Sequence, residues 1–280
     1  MNNFLKLFIV ALVLCASVGS FANQEKHSEL RIVALAPHIV ENLYDIGAGD
    51  NIVGAVEYSD YPEAALSIPR VGGYHGIQVE KLLELQPDLV IAWQSGNQAS
   101  DIARLKQLGL KVILSNPKNI EDVANELRYF GKETGYFKMA ESVALAFEDK
   151  LRVLRQENGN KAQIAVFYQL WSEPMMTINN TTWIHQLVEV CSGKNVFGEN
   201  PTPYPKIGIE NVIVAQPELI IIPDEKSDRP QPKIDWQKWP EIPAVKDNQF
   251  IQVNADLLHR FSSRMLDGVD DMCAKMDAFR

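Results

Sequence analysis

Residues 74–91 read YHGIQVEKLLELQPDLVI, and residues 204–221, 130 positions further on, read YPKIGIENVIVAQPELII. Tyr, Ile, Glu, Gln, Pro, Leu and Ile recur in register, and most other positions exchange like for like. A second pair, residues 43–54 (LYDIGAGDNIVG) and 187–198 (LVEVCSGKNVFG), recurs in the same order along the chain. A period this long lies outside the range of solenoids and propellers. It implies two like lobes of one fold, with Glu80 and Glu210 at equivalent places and a cleft between the lobes.

The repeated segment also has a local reading. Residues 79–85 predict a short helix, which Pro87 ends because the ring removes a backbone donor and restricts the residue before it. Residues 89–93 then predict a strand. Working outward, residues 31–36 (RIVALA) read as a buried strand, 39–46 as a helical stretch stopped by Gly47 and Gly49, and 52–56 as a further strand. Residues 102–108 read as a helix ended by Gly109, and 111–114 as a strand. Apolar residues at 120, 123, 127 and 130 have the spacing of an amphipathic helix. Strands alternating with helices predict an α/β fold with mainly parallel sheets.

Residues 136–158 hold neither Gly nor Pro, and Ala140, Val143, Phe147, Leu151 and Leu154 share one helical face. A helix of that length between two matching halves reads as a rigid spine, the alternative being an ordinary surface helix. The second lobe opens with a strand at 164–168. It continues through a Pro- and Trp-rich connection at 230–243 and a strand at 250–253 to a last helix from Ser262. The expected division is 1–22 as a signal peptide, 23–136 as the first lobe, 137–158 as the spine and 159–280 as the second lobe.

The signal peptide is read from Lys6, the apolar run 7–18 and the small-x-small sequence Ser20-Phe21-Ala22. The run is short of the roughly 20 apolar residues needed to span a bilayer. An extracytoplasmic location, the periplasm, follows. At 280 residues, 46% hydrophobic and 22% charged, the chain has the composition of an ordinary globular protein. A net charge of -9 argues against nucleic acid and against direct association with anionic lipid. Removal of the signal leaves Cys191 and Cys273. In an oxidising compartment an even pair favours a disulfide over two buried thiols, and this one would tie the last helix to the first helix of the second lobe.

No nucleophile elbow, phosphate loop or dinucleotide fingerprint occurs, so no catalytic residue is expected. His38 and Glu41 lie three apart on a helix, while His75, His185 and His259 fall in or near loops. Spacing alone does not bring them together, and no metal site is expected. Aromatic residues carry more weight. Tyr58, Tyr61, Tyr74, Trp93, Trp171 and Tyr204 all fall at strand ends or in the loops after them, where open α/β sheets bind ligands. There they offer flat apolar area with few polar demands. Glu80 and Glu210 open short helices, where the helix dipole favours a carboxylate. Equivalent residues on separate lobes stand too far apart for paired acid–base catalysis.

The repeat, the Tyr58-Ser-Asp-Tyr-Pro62 loop, Ile91-Ala-Trp93 with Gly96-Asn97, Val190-Cys191, Pro203-Tyr-Pro205, the run at 239–246 and Cys273 together resemble the periplasmic binding proteins of metal-chelate importers. The likeness is strongest to the branch that binds cobalamin, and it covers essentially the whole chain after the signal. It implies a class III arrangement, two α/β lobes on one rigid helix with little hinge closure. It further implies that Tyr58, Tyr74, Trp93 and Tyr204 line the cleft and that Asp256 meets the amide groups of the corrin, while Trp171 joins the candidate ligand-binding residues through its strand-end position alone. Glu80 and Glu210 would dock on arginines of a permease dimer, and Cys191 would pair with Cys273. Two departures stand out: Tyr at 74 and 204 in place of Trp, and Leu170-Trp171 in place of Phe-Gly. Cobalamin is thus the expected ligand of a monomeric carrier without a cofactor, with haem or an iron siderophore as the alternative. A siderophore is anionic and asks for several cleft arginines, of which only Arg260 and Arg264 are well placed. A secreted hydrolase, a metal-binding protein or an adhesion module is the less favoured class.

Overall fold

The computed structural model describes residues 30–224 and 232–280. The expected signal peptide, with the polar leader after it, lies outside the described residues, as does part of the Pro-rich connection.

Two four-stranded parallel sheets carry the fold. The first runs in the spatial order Ile52–Ala55, Ile32–Ala34, Leu89–Trp93, Val112–Ser115. The second runs Gly193–Asn195, Ile164–Tyr168, Leu219–Asp224, Phe250–Asn254. Both follow one plan. The opening strand is central, the next lies on one side of it and the third on the other, so each sheet has a switch point beside its first strand.

The repeat is reproduced element by element. Helix Val79–Glu84 precedes strand Leu89–Trp93, and 130 residues later helix Ile209–Ala215 precedes strand Leu219–Asp224. Gln86 and Gln216, each followed by a proline, both take the left-handed conformation, at φ 46° and 48°. The following proline disfavours the right-handed helical region for each, and the chain turns out of the helix at that residue.

Burial alternates along the strands. Ile32, Ala34, Leu89 and Ile91 of the first sheet face a central core, and Val33, Val90 and Ala92 face an outer one. Val166, Tyr168, Leu219 and Ile221 of the second sheet join that same central core, while Phe167 and Ile220 face their own outer layer. Sheets covered on both faces require such apolar strands. The spine helix Phe137–Asn158 makes the central core continuous: Ala140, Ala144, Phe147, Leu151 and Leu154 are buried in it. A surface helix of one lobe would not reach both. A disulfide joins Cys191, at the end of helix Trp183–Val190, to Cys273 in the last helix.

Some expectations need correction. The helix expected from Ile102 begins at Ala99, and the last helix begins at Met265 rather than Ser262. The second shift has a tertiary cause. Residues 260–264 are drawn across to the first lobe, where the Phe261 carbonyl accepts from Asn42 Nδ2 at 3.0 Å and the Ser263 hydroxyl donates to Asp45. A two-strand ribbon, Trp171–Ser172 with Met175–Met176, follows the first strand of the second sheet and was not anticipated.

Candidate functional site

Helix Pro37–Asp45 starts directly after the first strand, with proline in its opening turn, where the missing donor costs nothing. This places His38 at the switch point of the first sheet. Its Nε2 lies 2.9 Å from the Ser115 hydroxyl, whose single proton is donated to Glu126 Oε2 at 2.8 Å. Ser115 therefore accepts from His38 Nε2–H. The backbone N–H of Asn116 donates to the other oxygen of Glu126 at 2.8 Å.

Trp93 ends the third strand beside His38, edge to face, with ring centres 5.2 Å apart. Asn97 fixes the turn beyond it. The asparagine accepts from Trp93 N–H at 2.7 Å and donates to the Leu35 carbonyl at 2.9 Å, which ties the ends of two strands together. The indole lies over Gly96, where an added Cβ would come within 1.9 Å of the ring. Only glycine permits that approach. Trp93 Nε1 is buried and has no partner among the described residues.

The His38 ring also faces Phe261, which packs on Trp183 at 4.3 Å between ring centres, so aromatic contacts run from one lobe into the other. Beside them lies a charged seam. Arg260 donates from Nη1 to Glu41 at 2.7 Å and Asp60 at 2.9 Å, and from Nη2 to Asp256 at 2.7 Å. Arg264 stacks on Tyr61 at 3.3 Å and reaches Glu41 at 3.5 Å. Both arginines are thus matched by carboxylates of the protein itself.

The other expected residues are distributed as follows. Tyr58 is partly exposed, with φ 64°, at the start of the loop that carries Asp60 and Tyr61. Tyr74 forms the tip of the ribbon Gly72–Gly73 with Gly76–Ile77, is 85% exposed, and meets the ring of His75 edge-on. Tyr204 is partly exposed, and burial pushes its hydroxyl above the usual tyrosine value. Trp171 is 40% exposed, and its N–H is satisfied by the Glu173 carbonyl at 2.9 Å. Glu80 is exposed and pairs with Arg104 at 3.1 Å, while Glu210 is exposed in the first turn of its helix.

The histidines depart from the sequence reading. His185 is buried within a helix, and His259 is half-buried at the end of a short helix, against the Tyr168 hydroxyl at 2.9 Å. Neither is a solvated loop residue, because the helices and strand ends that carry them form the central core. Among the described residues, no three of His, Cys, Asp and Glu are grouped so as to hold a metal ion. Glu126 was missed altogether. It shares the buried face of helix Asp122–Thr134 with Val123, Leu127 and Phe130, and a carboxylate on an apolar stripe is the signal that marks it.

These groups give stability a pH dependence. Burial pushes Glu126 up to about 7, against the hydrogen bonds from Ser115 and Asn116. Burial, aided by the charge of Arg260, holds His38 down to about 3, and burial holds His259 down to about 4 despite Asp256. A raised carboxyl binds its proton more tightly in the folded state, so its contribution is complete below pH 4.5 and is lost as pH rises through 7. The lowered histidines act oppositely: their contribution is complete above 6.5 and is lost as pH falls toward their folded values. Between pH 6 and 8 the two effects oppose each other and are of similar size, about 1 kcal/mol each way, so wild-type stability should be nearly flat there. Glu126→Gln removes the carboxyl's share, so the variant's stability should rise by about 1 kcal/mol more than the wild type's over that range, with the acid-side loss intact. Equal slopes for the two proteins in urea unfolding would show that Glu126 makes no such contribution.

The model of the periplasmic binding protein family matches residues 32–257, which include both sheets and the seam carboxylates Glu41, Asp60 and Asp256. The chain belongs to the periplasmic binding protein family. It is a solute carrier and not an enzyme, and its place is the periplasm. Among family members, it is 32% identical over 270 residues to the vitamin B12-binding protein of Vibrio campbellii, covering 96% of each chain. With the vitamin B12-binding protein of Vibrio cholerae it shares 35% identity over 244 residues, 87% of each chain. The crystal structure of the periplasmic vitamin B12 binding protein BtuF of Vibrio cholerae superposes with a TM-score of 0.80 at 34% identity, covering 89% of this chain and 96% of that one. The periplasmic heme-binding protein BhuT superposes with a TM-score of 0.78 at 20% identity, a likeness of fold alone. The class III family architecture accounts for the paired sheets and the spine. Among the described residues, no helix is long and apolar enough to cross a membrane.

Proposed function

We propose that this protein captures cobalamin between its lobes and delivers it to the membrane-embedded permease dimer of an importer. The observation that carries the reading is the likeness over nearly the whole chain to vitamin B12-binding proteins, at 32–35% identity. The charge pattern supports it. Haem and siderophores present carboxylates or other anionic groups, and Arg260 and Arg264, the cations nearest the switch point, are already engaged by Glu41, Asp60 and Asp256. A corrin rimmed with neutral amides asks for donors, acceptors and flat apolar walls instead.

In this reading Trp93 stands on the first sheet's switch point and Trp171 beyond the first strand of the second sheet, while Tyr58 and Tyr204 complete the walls and Tyr74 reaches the ligand from its ribbon tip at the rim. Asp256, held by Arg260, accepts from corrin amides. Glu80 and Glu210 dock on the permease, and the carrier acts as a monomer without a cofactor of its own. Titration calorimetry with cyanocobalamin should give saturable one-to-one binding, with no comparable binding of hemin or a ferric siderophore. Saturable hemin or siderophore binding with no heat from cyanocobalamin would reassign the ligand.

A further inference from the structure

The second lobe holds a cavity of about 410 Å³, lined by Leu170, Trp171, Pro174, Met176, Lys206 and His259. It opens where the strand Ile164–Tyr168 ends and the ribbon of Trp171–Ser172 with Met175–Met176 begins, on the side of the sheet that carries the candidate site. Its chemistry is uneven. Four of the six walls are apolar, and the Trp171 indole has satisfied its N–H on its own turn, so the ring offers its area without a polar demand. His259 closes the back as a half-buried ring engaged with the Tyr168 hydroxyl. Lys206 is exposed, backbone-bridged to Met176, and no ion pair involving it occurs among the described residues. No carboxylate lines the cavity.

An aromatic wall, a soft methionine wall and one cation match a planar aromatic base joined to a phosphodiester. A base stacks on any aromatic face, and an ammonium pairs with phosphate as a point charge. The corrin ring itself, wide and rimmed with amides, is a poor match for so small a pocket with a cation beside it. We propose that this cavity is the subsite for the nucleotide tail of the corrinoid, with Trp171 on the base and Lys206 on the phosphodiester. The inference rests on the cobalamin reading above, and it makes Trp171 and Lys206 determinants of which corrinoids are held tightly.

The test compares cyanocobalamin with dicyanocobinamide, which keeps the corrin and lacks base, ribose and phosphate. Calorimetry is run on the full mature protein, Trp171→Ala and Lys206→Gln, with circular dichroism as the check on folding. Both side chains are exposed enough that the fold should be retained. Wild type should prefer cyanocobalamin. Trp171→Ala should weaken cyanocobalamin on the order of tenfold, the scale of one lost stacking partner, and weaken dicyanocobinamide by a much smaller factor. Lys206→Gln should do the same to a smaller degree and flatten the salt dependence of cyanocobalamin binding. Variants that weaken both corrinoids alike, or neither, while wild type binds both, overturn the subsite alone. Wild type binding neither corrinoid overturns the cobalamin reading, and the subsite with it.

Discussion

Replacing Arg260 with methionine should lower the stability of the folded protein by about 3–5 kcal/mol, the scale of stranding a buried charge. The guanidinium serves three carboxylates at 2.7–2.9 Å, and the three do not depend on it equally. Asp60 and Asp256 keep some contact with water. Glu41 is 1% exposed, and its other neighbouring cation, Arg264, is 3.5 Å away. Without Arg260, Glu41 keeps its desolvation cost and loses its main counter-charge. Methionine preserves most of the unbranched stem, so the loss reads the charge rather than the packing. Adding Glu41→Leu to Arg260→Met should recover a large part of the loss, because the stranded carboxylate is then gone. Urea unfolding at neutral pH measures both variants. A loss below about 1 kcal/mol in the single variant would mean that Arg260 behaves as a surface pair and that the seam is hydrated.

The seam also explains what was legible in the sequence and what was not. Elements set by local rules were legible. The Gln-Pro steps at 86–87 and 216–217 end the same helix twice, and the strands at 89–93 and 164–168 fall on the residues where apolar runs place them. The long helix was legible for the same reason, as an uninterrupted stretch with one apolar face. What failed depends on contacts between the lobes. Ser262 and Ser263 look like a helix start, yet that stretch is held by Asn42 and Asp45 more than two hundred residues earlier, and the helix waits until Met265. His38 and Glu41 lie three apart on one helix, and their spacing does not show what each one meets. They serve separate networks, His38 toward Ser115 and Glu126, and Glu41 toward Arg260. No spacing rule separates those outcomes, because the partners come from other strands and helices. The candidate aromatic residues were legible as strand-end positions, but which of them are walls and which are tips was not. Trp93 is fixed by His38, Gly96 and Asn97, whereas Tyr74 stands almost wholly in solvent.

Changing both Glu80 and Glu210 to alanine should leave cobalamin affinity unchanged and reduce uptake through the importer to background. The two carboxylates occupy the same position in the repeat, each in the first turn of a short helix. A two-fold symmetric partner offers one identical socket per subunit, and a pair of like charges on like lobes is the pattern that engages both at once. A structural role predicts something smaller. Glu80 and Arg104 form an exposed pair, a class worth little, and Gly208 N–H is already met by Asn211 Oδ1 at 2.9 Å without help from Glu210. Loss of the dipole interaction alone costs about 0.3–1 kcal/mol per helix and should show as a slightly lower melting temperature with normal transport. Engagement at two sockets also predicts how the single variants behave. Each retains one anchored lobe, so each should transport at an intermediate level, and the double loss should exceed the sum of the two. Uptake of labelled cobalamin by cells or proteoliposomes, measured beside calorimetry on the same purified variants, separates the cases. Normal uptake by the double variant would remove the docking role. Weakened cobalamin binding would instead place these glutamates at the ligand.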